Sequence, residues 1–485
     1  MKKVRLGVCP IGSVFLTALL LAACANGSTG LNGAPEAAAP QGVSPESSST
    51  PTASPSVSPS SSPTASPSPS PIQHVIVIVQ ENRSFNDLFA TFPNAHGVTS
   101  GLMKTTSGDQ YIALQKVNLD STCDPTHSYH SWLKAYDGGK MDGFNLEGAS
   151  GSCKDKATAP YQYVNPQQIA PYWVMAEQYV LADEMFQTQS SGSFTAHQDL
   201  IRGSTVINDL KTKSLIDLPT GIPWGCDAPP GTRTSILHYT GSGFVYRKNK
   251  GPFPCLRYHT MRDLFDAANV SWKYYSPPVQ GGSGDEWNAF DAIKAVRNGP
   301  EWGVNVTDSD TQIFTDITNG ALPAVSWVIP DGMDSDHPGQ MGDNGPAWVA
   351  SVVNAIGQSS YWSTSAIVVV WDDWGGFYDS VPPPFQDNWG GLGFRVPMIV
   401  ISPYALGGGS QNYVSHTQYE FGSILKFIEG TFGLGSLGTT DARANSIVDC
   451  FDFTQQARSF SVIPSRHNQE YFIRRGPTHV PVDTE

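Results

Sequence analysis

The sequence has no excess of positive charge: 29 Lys and Arg face 43 Asp and Glu, a formal net charge of -14. A basic face for nucleic acid is therefore not expected. It also has no apolar run long enough to cross a bilayer. The clearest, residues 14–22, follows Lys2, Lys3 and Arg5, the pattern of a signal peptide. Large apolar side chains are nearly missing from residues 25–71, where Ser, Pro, Ala, Gly and Thr dominate with repeated Ser-Pro. Such a stretch cannot bury enough surface to offset its chain entropy, so it reads as a disordered, semi-extended linker. No internal repeat is present. An even cysteine count is missing too: there are seven.

What is present divides the chain into an export segment at 1–24, the linker at 25–71 and a large folded region at 72–485, ample for one elaborate domain or two. Leu21-Ala22-Ala23-Cys24 resembles the lipobox of bacterial lipoproteins. That resemblance implies cleavage before Cys24, lipid on its thiol and a lipid-anchored place in the cell envelope. Ordinary secretion is the alternative. Export permits disulfides. Sequence proximity pairs Cys123 with Cys153 and Cys226 with Cys255, leaving Cys450 single, although spacing does not fix connectivity.

His74-Val75-Ile76-Val77-Ile78-Val79 is a β-branched run suited to a strand buried on both faces, as in a parallel sheet. Residues 324–329, 366–371 and 396–401 share this character, and 271–275 is a weaker candidate. Helical spacing recurs through Ile169, Tyr172, Trp173, Ala176 and Val180, and again from Phe421 to Phe432. Thr417-Gln418-Tyr419-Glu420 has the form of a capping box for that second helix. Strands alternating with helices predict an α/β sheet. Residues 221–254 and 277–284 are predicted as long surface loops.

Two buried runs end in acid. One passes into Gln80-Glu81-Asn82-Arg83-Ser84-Phe85, the other into Trp371-Asp372-Asp373-Trp374-Gly375-Gly376. Ligands in open α/β sheets bind beyond the carboxyl ends of the strands. Adjacent carboxylates at the edge of a buried region repel and lose solvation unless a cation compensates. Carboxylate and amide oxygens suit a hard or borderline divalent metal, whose identity the sequence leaves open.

Several further segments follow in order: Asp124-Pro125-Thr126-His127-Ser128, then Gly138-Gly139-Lys140-Met141-Asp142-Gly143-Phe144, and Ser191-Gly192-Ser193-Phe194-Thr195-Ala196-His197. Leu322-Pro323-Ala324-Val325-Ser326-Trp327 leads to Asp336-His337-Pro338, and Gly375-Gly376-Phe377-Tyr378-Asp379 closes the set. With Glu81-Asn82-Arg83-Ser84-Phe85 at its head, this series resembles the bacterial phosphoesterase family that contains phosphatidylcholine-type phospholipases C and respiratory-burst-inhibiting acid phosphatases. The resemblance runs from about His74 to Phe432. It implies an alkaline-phosphatase-like, three-layer α/β/α sandwich with a mostly parallel central sheet. It also implies that Glu81, Asn82, Ser193, Asp372 and Asp373 hold the metal. Ser193 would be the nucleophile that forms a phospho-serine, with Thr195 as the fallback. His127 and His337 would contact the phosphate or the leaving group. The acids at Asp334 and Asp336 are expected to raise the His337 pKa and favour a proton donor.

Other residues carry two readings. Arg83 either grips phosphate or neutralises nearby acids. His197 either serves the site or closes the nucleophile loop, and His416 either meets substrate or only precedes the helix cap. Relatives often have His where this chain has Ser380, and Pro-Asn where it has Thr195-Ala196. The leading expectation is a phospholipase C-like phosphodiesterase whose substrate includes phospholipid. The alternatives are a broad-specificity acid phosphatase on monoesters and a surface lipoprotein that binds phosphorylated ligands without turnover. The sequence leaves the oligomeric state open.

Overall fold

The apolar run that begins at His74 forms the strand at the middle of the main sheet, and Val75 to Gln80 are all buried. The computed structural model describes residues 70–482 apart from 122, 340–341, 388 and 409–411. The export segment, Cys24 and nearly all of the linker lie outside the described residues. Numbered along the chain, the strands of this sheet are β1 (His74–Gln80), β2 (Val180–Ala182), β3 (Trp272–Tyr275), β4 (Val306–Thr307), β5 (Val325–Val328), β6 (Ser365–Trp371), β7 (Met398–Ile401) and β8 (Tyr413–Ser415). Their order is β4-β3-β5-β1-β6-β7-β2-β8. Neighbours pair parallel except β7, which runs antiparallel to both β6 and β2. The sheet is thus mostly parallel, the arrangement in which strands are ordinarily buried on both faces. The apolar run at 396–401 forms the strand that departs from this direction, because burial on both faces does not encode strand direction.

Register matters most between β1 and β6. They pair without a slip from His74 opposite Ser365 to Gln80 opposite Trp371. Two parallel strands in full register end level, so Glu81 and Asp372 emerge side by side.

Helices flank the sheet in two packed groups. Ala170–Gln178 packs with Gly345–Gly357, which also meets Gln312–Thr318 and Gln469–Arg475. Ser193–Arg202 packs with Phe421–Phe432 and Met261–Ala268. The cap of Phe421–Phe432 differs from the expected Thr417–Glu420 box. Its N-cap is Glu420, and Ser423 Oγ accepts the Glu420 N–H at 2.9 Å. The helix cannot start earlier because Tyr419–Glu420 is engaged as a strand with Met185–Phe186. The stretch 221–254 is not only loop either. Ser235–Tyr239 and Phe244–Arg247 form a hairpin that joins Lys213–Ile216 in a three-stranded antiparallel sheet. Each of its strands is only four or five residues long, too short to stand out among the surrounding Gly and Pro.

Disulfides link Cys123 to Cys153 and Cys226 to Cys255, and Cys450 is free and buried. The first bond joins Cys123–Pro125 to the segment after its antiparallel partner, Ala149–Gly151, just ahead of His127.

Several carboxyls are buried in the segments that follow the strands. Asp310 lies near Asp334 and Asp331, and desolvation with that like charge pushes its pKa up to about 7. Asp336 is also pushed up to about 7, chiefly by desolvation, against the lowering influence of Arg83 and of hydrogen bonds from Tyr172 and Trp371. A carboxyl whose folded pKa is raised binds its proton more tightly folded than unfolded. Its stabilising contribution is complete below the unfolded value near 4 and is lost as pH rises through about 7. The thermal unfolding midpoint should therefore fall between about pH 4 and pH 7, each such group contributing on the order of 1 kcal/mol per pH unit. A midpoint that stays flat or rises across that window, measured by calorimetry, contradicts this.

Candidate metal centre

Glu81 and Asn82 leave the carboxyl end of β1, and Asp372 and Asp373 leave that of β6. Asp372 N–H donates to Gln80 O at 2.9 Å and joins the two ends, and Glu81 N–H donates at 2.8 Å to Ser335 O in the segment after β5. All four side chains are fully buried. Asn82 has φ of 59°, a left-handed conformation that Asn tolerates better than most residues. This turns its backbone N–H onto Asp372 Oδ1 at 2.9 Å. Gly375 is what makes room for it. A Cβ there would lie 2.1 Å from Asn82 O, and Gly375 itself has φ of 60°. The Gly375 N–H also donates to Asp373 Oδ1 at 2.7 Å.

The third contributor is the helix Ser193–Arg202, whose first residue is Ser193. Ser193 Oγ lies 3.3 Å from Asp373 Oδ2 and 3.4 Å from Asn82 Oδ1. One turn along, His197 Nε2 is 2.9 Å from Glu81 Oε1 and 3.9 Å from Asp372 Oδ2. Residues four apart share a helix face, so Ser193 brings His197 with it. Glu81, Asn82, Ser193, Asp372 and Asp373 thus meet in one cluster, and His197 joins them as a direct neighbour. The spacing of Ser193 and His197 was the signal in the sequence for that larger role.

Asn82 also organises the two remaining histidines. Its Nδ2 is 3.0 Å from His127 Nε2 and 3.0 Å from His337 Nε2. Each ring has its Nδ1 on a carbonyl, His127 on Pro125 O at 3.1 Å and His337 on Pro338 O at 2.6 Å. A carbonyl accepts only from N–H, so Nδ1 carries the proton and Nε2 presents its lone pair to the Asn82 amide. His337 stacks on Trp287. The expected rise in its pKa is reversed: burial and the neighbouring His127 push it down to about 4. The acids meant to raise it face elsewhere. Asp334 pairs with Arg475 at 2.6 Å, and Asp336 accepts from Tyr172 and Trp371.

Two other sequence candidates are placed differently. Arg83 donates to Asp87 Oδ2, Asp336 O and Leu119 O, so its guanidinium neutralises a buried acid and ties backbone instead of reaching toward the cluster. His416 bonds to Asp183 at 2.9 Å. Thr195, the fallback nucleophile, donates to Gly192 O within its own helix turn.

The cluster is strongly under-compensated. Burial pushes the Glu81 carboxyl well above its usual range, reinforced by Asp372, and does the same to Asp373, again reinforced by Asp372. Among the described residues, no Lys or Arg pairs with Glu81, Asp372 or Asp373. Glu81 Oε2, Asp372 Oδ2 and His197 Nδ1 are buried without a hydrogen-bond partner. Donor atoms of Glu81, His197 and Asp372 lie within 4.8 Å of one another. Oxygen-rich donors with one imidazole, buried and unpaired, fit a divalent metal ion. Beside them opens a cavity of about 540 Å³, lined by His127, Gly192, Asp217, Tyr246 and Lys248 among others.

Two outcomes follow from this geometry. Glu81→Gln should leave the metal-free protein at least as stable as the parent, because it deletes a like charge. The same change should weaken Mn²⁺ binding by about tenfold or more in calorimetric titration. Unchanged affinity would remove Glu81 from the centre. Gly375→Ala should displace Asn82 and destabilise the fold by about 1–2 kcal/mol from the left-handed backbone alone. Parent-like stability of that variant would contradict the packing described.

Comparison with known proteins gives a consistent assignment. The family described as "Phosphoesterase family" matches residues 72–435. The chain is 25% identical to "Phospholipase C B" of Mycobacterium tuberculosis over 440 residues, covering 79% of this chain and 78% of that one. It is 24% identical to "Non-specific phospholipase C3" of Arabidopsis thaliana, covering 78% and 75%. Among solved structures, a protein in the alkaline phosphatase superfamily from Vibrio parahaemolyticus aligns with a TM-score of 0.35 at 9% identity, covering 79% and 73%. The family match spans most of the chain and includes every residue of the buried cluster: this protein belongs to the Phosphoesterase family and is a hydrolase of phosphate esters.

Proposed function

We propose that the chain is an exported, phospholipase C-like phosphodiesterase that works through Ser193 and a phospho-serine. The observation that carries this is the position of Ser193 Oγ. It stands at the head of a helix, 3.3 Å from Asp373 Oδ2 and 3.4 Å from Asn82 Oδ1, beside the under-compensated carboxylates. The 25% identity with a phospholipase C over most of both chains supports the diester reading. The signal-peptide pattern, Cys24 and the two disulfides support export, with lipid at Cys24 holding the domain at a membrane.

Glu81, Asn82, Asp372, Asp373 and Ser193 would hold a divalent ion, with His197 beside Glu81 and Asp372. Such an ion supplies Lewis-acid polarisation of the phosphoryl oxygens and lowers the pKa of a bound hydroxyl. The chain's own residues do the rest. The Ser193 proton passes to Asp373 Oδ2, which its hydroxyl already faces. Ser193 Oγ forms a bond to phosphorus, and the opposite bond from phosphorus to the alcohol oxygen breaks. The departing oxygen takes a proton from His127 Nε2, which enters the reaction protonated and so releases the Asn82 amide; His127 lines the cavity, whereas His337 is stacked on Trp287. His337 stays neutral and keeps Asn82 in place. In the second half, His127 Nε2 takes a proton from water as its oxygen attacks the phospho-serine. Phosphate monoester leaves, and Ser193 recovers its proton from Asp373.

Ser193→Ala should lower turnover of a nitrophenyl-phosphocholine diester by roughly 10³-fold or more with little loss of fold. Unchanged hydrolysis removes Ser193 from the mechanism. The parent should prefer that diester over nitrophenyl phosphate; equal or better monoester turnover supports the acid-phosphatase reading instead. No turnover of either, with Mn²⁺, Zn²⁺ or Ca²⁺ added, supports a binding protein.

A further inference from the structure

We propose that His96, Asp183, Glu184 and His416 form a second metal site, a structural zinc site, at the outer part of the same sheet. It is independent of the mechanism above. Asp183 and Glu184 follow β2, and His416 follows β8. These strands pair parallel, with Ser415 opposite Ala182, so the residues after them emerge together. His96 arrives from the loop after the helix Phe85–Phe89.

Donor atoms of His96, Asp183 and His416 lie within 4.8 Å of one another, and Glu184 adjoins them through His96. His416 Nδ1 is 2.9 and 3.0 Å from the two Asp183 oxygens. His96 Nδ1 is 3.5 Å from Asp183 Oδ2 and 3.2 Å from Glu184 Oε1. Ligands about 2.0–2.1 Å from a tetrahedral zinc ion lie about 3.3 Å from one another, and the observed spacings bracket that value. The chemistry also asks for an ion. Asp183 is fully buried, and among the described residues no Lys or Arg pairs with it. Both imidazoles aim Nδ1 at this one carboxylate while their rings stack at 4.6 Å. A bound cation satisfies both imidazole nitrogens and the carboxylate together. Two nitrogen and two carboxylate donors suit zinc better than calcium or magnesium, which prefer oxygen alone.

The backbone beneath these ligands is preset. Arg395 is fully buried and paired with Asp379 at 2.8 Å. It also donates to Asp183 O at 2.8 Å and His96 O at 3.1 Å. The His96 N–H donates to Asp183 Oδ2 at 2.8 Å, which fixes that carboxylate's orientation. Glu184, next to Asp183 and 3.2 Å from His96, would supply the fourth ligand and close the site, so its role is to clamp three chain segments, not to bind substrate.

The test is equilibrium dialysis of the full chain against micromolar Zn²⁺, with metal counted by elemental analysis. The proteins are the parent, His96→Ala/His416→Ala, the single His416→Ala, and Asp372→Asn for the buried centre. Both histidines are exposed, so their variants should fold, as circular dichroism would confirm. The double variant should hold one zinc equivalent fewer than the parent, and its thermal midpoint should lose the rise that zinc gives the parent. His416→Ala should bind that equivalent at least about tenfold more weakly. Asp372→Asn should retain it. Equal zinc content in the parent and the folded double variant overturns the proposal. So does loss of all zinc in Asp372→Asn alone.

Discussion

Three carboxylates, Glu81, Asp372 and Asp373, are brought out of water at the ends of two in-register parallel strands, and no Lys or Arg among the described residues pairs with them. Removing like charges from solvent in this way is strongly unfavourable without a compensating cation. Much of the nearby structure answers that constraint. Asn82 takes a left-handed turn that gives its N–H to Asp372. Gly375 gives up its side chain so that this turn fits. The helix carrying Ser193 and His197 points its first turn, the positive end of its dipole, into the same space.

Asn82 links the electrostatic centre to the proton-handling groups. Its Oδ1 faces Ser193, and its Nδ2 faces the two histidines. One amide thereby sets where the hydroxyl and both imidazoles stand. The histidines differ in environment despite this shared partner. His337 is packed on Trp287, and burial keeps it neutral. His127 borders the cavity beside Gly192. That difference assigns them unequal parts in the proposed reaction.

The geometry of the sheet repeats itself outward. The carboxyl ends of β2 and β8 also release acidic and imidazole side chains together, for the same reason that those of β1 and β6 do: parallel neighbours end on one edge. Buried Arg395, paired with Asp379, underlies that outer cluster, while Arg83, paired with Asp87, supports the loop after β1. Both arginines serve architecture, since their donors are consumed by buried acids and carbonyls.

Runs such as Val75 to Val79 and Ala366 to Trp371 announce buried strands, because burial on both faces demands uninterrupted apolar side chains, and acids placed directly after two such runs mark a site. The α/β class and the cluster of Glu81, Asn82, Ser193, Asp372 and Asp373 were legible on that basis, helped by a family resemblance. The hairpin Ser235–Arg247 was not, since its strands are short and set among Gly and Pro, and the reversed direction of β7 was not, since composition does not encode direction. The tertiary structure alone decided that Asp334 and Asp336 turn away from His337, that Arg83 serves Asp87, and that His416 meets Asp183 and His96. Those outcomes depend on which distant segments become neighbours. Local sequence sets what each side chain can do; packing across the sheet sets which partner it meets.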